Sequence, residues 1–147
     1  GLLEAEIAPQ AEFVASFAAL APRLGWHALD AVPLGDGHWR VTAVVENVGF
    51  LSTSGSQRAR AAGIARPVRL ELALPEGAVL ESGTLAREVG HLEGRSNKLA
   101  SGWFASSATD NRGKAEWLVR APAGVTLDVT AHGGRAGTLN GTVLLAG

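Results

Sequence analysis

Residues 38–48 (HWRVTAVVENV) place Trp39, Val41, Ala43 and Val45 on one side of the chain and Arg40, Thr42, Val44 and Glu46 on the other. A side-chain period of two belongs to a strand with one buried face. The pattern returns in 67–75 (PVRLELALP), where Val68, Leu70, Leu72 and Leu74 oppose Arg69 and Glu71. Further strands are predicted at 78–82, 85–92, 114–121, 125–132 and 137–145. Gly35-Asp36-Gly37 is a hairpin turn, which makes 28–34 (ALDAVPL) the partner of the 38–48 strand. The separators Glu76-Gly77, Gly94-Arg95-Ser96, Pro122-Ala123-Gly124 and Gly133-Gly134 are turn formers.

Two stretches keep a helical period instead. In 10–21 (QAEFVASFAALA) Phe13, Phe17 and Ala21 recur every fourth residue with Val14 and Ala18 alongside, Pro9 falling in the first turn and Pro22 just past the end. Residues 55–63 (GSQRARAAG) read as a second short helix. Seven or eight short antiparallel strands with one N-terminal helix predict a mainly β chain: an antiparallel β-sandwich, immunoglobulin-like or jelly-roll-like. A closed barrel fits less well, because the strands are uneven in length. One domain of 147 residues is expected, with an N-terminal helical segment over 1–23 packed on a sandwich over 24–147.

Charge and composition exclude several classes. A net charge of -1 gives no basic excess for phosphate contacts, so no nucleic-acid partner is expected. No apolar run approaches the ~18 residues that mark a membrane span, so no membrane partner is expected either. With no Cys there is no disulfide scaffold, thiolate nucleophile or Cys-ligated metal. The chain also has no Met, so Gly1 is not a translation start and a longer polypeptide is expected.

The residues capable of chemistry do not assemble into a motif. The four histidines are His27, His38, His91 and His132. His27 and Asp30 are three apart, which on a strand sends their side chains to opposite faces. His91 and Glu93 share a face but lack the third protein ligand that a catalytic zinc needs. The ordinary reading of each His is a surface or hydrogen-bonded side chain, and zinc hydrolysis through His91 and Glu93 is the remotest reading. Ser52, Ser54, Ser56 and Ser96 lie in turn-like segments outside any G-x-S-x-G elbow. The glycines of 133–137 are followed by neither a helix nor Lys-Ser/Thr, so they read as a turn. Asn140-Gly141-Thr142 fits a glycosylation acceptor, yet Asn-Gly is an ordinary turn pair. Trp39 and Trp117 belong to the core, and Trp26 packs at the junction of helix and first strand. Trp103 and Phe104 differ, because they stand in a long polar stretch, 95–113. They are the candidate binding face, for a sugar, a peptide or another domain.

The segment Trp39–Thr53 contains Val-Glu-Asn-x-Gly-Phe-Leu-x-Thr and is followed by the Ser-Gln-Arg-Ala helix. It resembles the C-terminal region of bacterial zinc carboxypeptidases of the carboxypeptidase-A-like metallopeptidase family, where the segment usually reads "veNtGyLPT". The stretches Val89–Ser96 and Ala115–Pro122 look similar as well, and Gly133–Leu145 matches a final glycine-rich hairpin. The similarity covers most of 22–146, with Val48 where the pattern prefers Thr and Ser52 where it prefers Pro. It implies a non-catalytic accessory sandwich whose partner is the catalytic domain of the same polypeptide. Zinc, its His-x-x-Glu and distant His, and the catalytic Glu would all lie upstream of Gly1, leaving no cofactor and no catalytic residue here. The alternative is an independent module that binds carbohydrate or protein. The compartment is left open.

Overall fold

The computed structural model describes residues 2–99 and 109–146. In chain order the elements are α1 (Leu2–Ala19), β1 (Leu24–Gly35), β2 (His38–Asn47), α2 (Gln57–Ala61), β3 (Val68–Ala73) and β4 (Val79–Ser82). Then follow β5 (Ala86–Gly90), α3 (Arg95–Leu99), β6 (Arg112–Arg120), β7 (Thr126–His132), a 3-10 turn (Gly134–Ala136) and β8 (Thr138–Leu144). All eight predicted strands are present. The β1–β2 hairpin closes through Gly35, Asp36 and Gly37, all at positive φ, as its tight turn requires.

The strands form two antiparallel four-stranded sheets, ordered β1-β2-β6-β4 and β5-β3-β7-β8. With β1, β2, β3, β4, β6, β7 and β8 taken as A to G, this is the ABED and CFG order of an immunoglobulin-like sandwich. Strand β5 is an addition outside C. Among the described residues this is not the strand order of a jelly roll, and the sheets do not close into a barrel. Alternation along the strands turns Trp39, Val41, Ala43, Val45, Ala115, Trp117 and Val119 of one sheet against Val68, Leu70, Leu72, Leu127, Val129 and Ala131 of the other, all buried. Each such Val or Leu contributes about 1.5–3 kcal/mol.

The tryptophans occupy distinct places in this core. Trp39 Nε1 donates to the Ala121 carbonyl at 2.9 Å. Trp117 Nε1 donates to the Thr84 carbonyl at 2.8 Å. Trp26 closes the side between β1 and β8, its Nε1 donating to the Asn140 carbonyl at 3.2 Å. Gly141 is bare beneath it, and a Cβ there would stand 2.6 Å from Trp26 Nε1 and 2.7 Å from Leu29. This corrects the reading of Asn140-Gly141 as a turn: the pair lies inside β8, opposite Thr130 and Val129. Gly141 is needed there for close approach of an aromatic ring.

Helix α1 also departs from expectation. It starts two turns earlier than the predicted 10–21, because Leu2 to Ala8 are mostly good helix formers, and it carries Pro9 inside rather than in its first turn. Of the 1–23 segment, residues 20–23 bond to the sandwich, Leu51 N–H donating to the Leu20 carbonyl at 3.0 Å and Val48 N–H to that of Arg23 at 2.8 Å, whereas every described side chain of α1 from Pro9 to Ala19 is exposed. The physical reason lies in the sheets. Their inner faces are buried against each other, and Leu24 at the start of β1 is itself part of the core, so the helix has no share in that core. Helix α2 is as predicted, shorter, with the Ser56 hydroxyl accepting from Ala59 N–H at 3.1 Å as its N-cap. Helix α3 was not predicted; it occupies the start of the polar 95–113 stretch.

Candidate functional site

One corner of the sandwich gathers most of the residues that looked distinctive in the sequence. Asn47 is the last residue of β2 and, by alternation, turns inward after Val45; it is 1% exposed. Its Oδ1 accepts from Arg23 N–H at 3.1 Å and Gly49 N–H at 3.0 Å. Its Nδ2 donates to the carbonyls of Leu51 at 2.8 Å and Glu93 at 3.2 Å, with Leu92 at 3.5 Å. One amide thus joins the entry to β1, the exit from β2 and the 91–94 strand exit.

Backbone bonds complete the clasp. Thr53 N–H donates to the Leu92 carbonyl at 2.9 Å, and Leu92 N–H donates to Thr53 Oγ1 at 2.9 Å. Arg95 and Ser96 N–H donate to the Gly49 and Phe50 carbonyls at 3.1 and 3.0 Å. Two glycines let the strands of the clasp touch. A Cβ on Gly49 would stand 2.3 Å from the Ala21 carbonyl oxygen, and one on Gly94 would stand 2.1 Å from that of Phe50. Since backbone cannot swing aside like a long side chain, Gly49→Ala is expected to destabilise the chain by about 1–3 kcal/mol. Urea unfolding measures this, and an unchanged midpoint would show that the corner yields freely.

Two shallow clefts open on the clasp. One of 370 Å³ is lined by Ala18, Ala21, Pro22, Arg23, Phe50 and Arg95, among others. A second, of 220 Å³, lies beside it between Glu46, Asn47, Val48, Arg95 and Asn111. Arg112 Nε donates to Glu46 Oε2 at 3.3 Å, and His27 Nδ1 lies 3.6 Å from the same oxygen. Near α3, Asn97 Nδ2 donates to Asp110 Oδ2 at 2.6 Å. Trp103 and Phe104, the binding face expected from the sequence, lie outside the described residues.

The other candidates are scattered. Glu93 lies 4.0 Å from Arg60, while His91 Nδ1 is buried with no hydrogen-bond partner among the described residues. On the outer face of the second sheet, Glu71 Oε2 accepts from Arg69 Nη2 at 2.6 Å and lies 3.5 Å from His132 Nε2. The Arg69 hydrogen bond and charge, assisted by His132, hold the Glu71 carboxyl below the usual range. Ser52 and Ser54 bond each other at 3.0 Å. Among the described residues no group of three or more His, Asp or Glu is placed to hold a metal ion. None of their helices is long and apolar enough to cross a membrane.

Residues 23–144 match a family described as Domain of unknown function (DUF8731). The chain belongs to that family. No curated protein matches it. The DUF8731 match opens at Arg23, whose N–H is held by Asn47, and closes at Leu144, the end of β8. It therefore takes in every described strand and leaves α1 outside. The clasp was only half legible in the sequence of this chain. Asn47 and Gly49 stood out in the sequence within the Val-Glu-Asn-x-Gly-Phe-Leu-x-Thr segment, but the Asn47 partners Arg23, Leu92 and Glu93 are distant in the chain. Their contribution is through backbone groups, which leave no mark on residue type.

Proposed function

We propose that the chain is a non-catalytic accessory sandwich of a zinc metallocarboxypeptidase, stabilising the catalytic domain of the same polypeptide or shaping substrate access to it. The observation supporting this reading is the Asn47 clasp. Two separate segments carrying the resemblance, 39–53 and 89–96, meet there and bond to each other, through Asn47 with Glu93 and Thr53 with Leu92. Their shared pattern with the carboxypeptidase region then has one structural cause, a sandwich corner that must be bonded in this way. The residues concerned hold backbone rather than handle substrate, which suits an accessory role. Zinc belongs to the partner domain in this reading.

The test uses the longer polypeptide that contains this chain, with and without residues 23–147. The expected result is stoichiometric zinc and release of C-terminal residues from peptides by the full polypeptide, and a lower melting temperature of the catalytic part when the sandwich is removed. A full polypeptide with neither zinc nor carboxypeptidase activity would overturn the reading.

A further inference from the structure

The four most exposed large apolar side chains among the described residues are Ile64 at 70%, Phe13 at 68%, Val14 at 65% and Phe17 at 61%. Three lie on α1, and the fourth follows α2 directly. Phe13 and Phe17 stack with ring centroids 6.1 Å apart, so the helix already presents a formed apolar ridge. Helices in water draw most of their stability from packing an apolar face. This ridge has no such packing among the described residues.

The two surfaces have opposite charge. The sequence of α1 contains Glu4, Glu6 and Glu12 and no Lys, Arg or His. Residues 57–66 (QRARAAGIAR) contain Arg58, Arg60 and Arg66 and no acid, and all three arginines are exposed beside Ile64, Ala61 and Ala62. Arg60 has Glu93 at 4.0 Å, at the limit of an ion pair. The side chains of Arg58 and Arg66 have no ion-pair or hydrogen-bond partner among the described residues.

We propose that α1 of one copy docks its Phe13–Phe17 ridge on the basic, alanine-lined surface around Ile64 of a second copy. Docking of α1 on α1 would set one acidic helix against another, whereas docking on Ile64 sets an acidic helix against a basic surface. The contact joins unlike patches, so a pair joined by one contact keeps one patch of each kind free, and association runs to rings or open chains. A buried Phe supplies only about 150–250 Å², so two of them fall short of the ~800 Å² per partner of a standard interface. Self-association is therefore weak, grows with protein concentration and is reduced by salt.

Sedimentation velocity on this chain at rising concentration tests the proposal, using Phe13→Gln and Ile64→Gln. Both side chains are exposed in the single copy, and unchanged circular dichroism confirms that each variant folds. The wild type is expected to associate in a salt-sensitive way, and each variant alone to remain a monomer. An equal mixture is expected to form a dimer and nothing larger, because the Ile64→Gln copy keeps an intact α1 and the Phe13→Gln copy an intact acceptor. A wild type that stays monomeric, a mixture that stays monomeric, or association lost in Phe13→Gln but kept in Ile64→Gln would each overturn the proposal. The last outcome would assign the ridge to an α1–α1 contact.

Discussion

Asn47→Ala is expected to lower the stability of this chain by about 4 kcal/mol, since it removes the shared partner of several buried backbone groups. The side chain makes its contacts with Arg23, Gly49, Leu51, Leu92 and Glu93 from a position 1% exposed. A net buried hydrogen bond is worth only about 1 kcal/mol, but each donor or acceptor left unpaired costs roughly 1–3 kcal/mol. The methyl group of alanine satisfies none of them. At roughly 2–4 °C per kcal/mol for a chain of this size, the melting temperature should fall by about 8–16 °C. Asn47→Asp separates the two halves of the amide. It keeps the acceptor toward Arg23 and Gly49 but presents a carboxylate to the carbonyls of Leu51 and Glu93. It is expected to destabilise at least as much at neutral pH, with partial recovery in acid as the carboxyl gains a proton to donate. Thermal unfolding followed by circular dichroism measures both. A loss below about 1 kcal/mol in Asn47→Ala would mean that the corner is held by its backbone ladder alone.

The second large effect is expected at Trp117. This residue lies on β6, a strand flanked by β2 and β4, is 1% exposed, and is among the largest side chains of the core. Truncation removes apolar contacts and leaves a cavity that two facing sheets cannot collapse to fill. Trp117→Ala should therefore cost about 3–5 kcal/mol. Its indole also donates to the Thr84 carbonyl in the connection between β4 and β5. Trp117→Phe isolates that bond, because it keeps an aromatic ring in place while removing the N–H. A cost of about 1 kcal/mol is expected for the lost bond, since Thr84 is exposed and water can replace the donor. Denaturant unfolding of the two variants gives the comparison. Equal losses in Trp117→Ala and Trp117→Phe would contradict the assignment of most of the effect to packing.

The strands were legible because the side-chain period of a sheet is two, and a half-buried strand must write that period into its residues. Trp39, Val41, Ala43 and Val45 were assigned inward from alternation alone and are buried. Turns were legible where backbone geometry demands glycine, as at Gly35 and Gly37. Gly141 shows where the same logic misleads. A glycine can mark a turn or a place where another side chain must lie on the backbone, and residue type does not distinguish the two. Helix α1 shows a second kind of ambiguity: the stripe of Phe13 and Phe17 announces an apolar face but not what covers it. The clasp is a third case. Asn47 can be recognised as a strand-end asparagine, yet three of its partners, Arg23, Leu92 and Glu93, are 24 to 46 residues away and engage it through their main chains.

By itself, then, the sequence determined which segments are strands and which way their side chains face, because that information is local and repeats every second residue. It also determined that His, Asp and Glu fall in no recognisable catalytic or metal-binding spacing. Only the tertiary structure decided the order of strands within the sheets, since any antiparallel pairing satisfies the same alternation. The same holds for the meeting of residues 20–23, 47–53 and 91–96 in one corner, and for the ridge of α1 left bare. Each of these depends on which distant surfaces come together, and two sheets that bury their inner faces against each other leave a third apolar face with no place in the core.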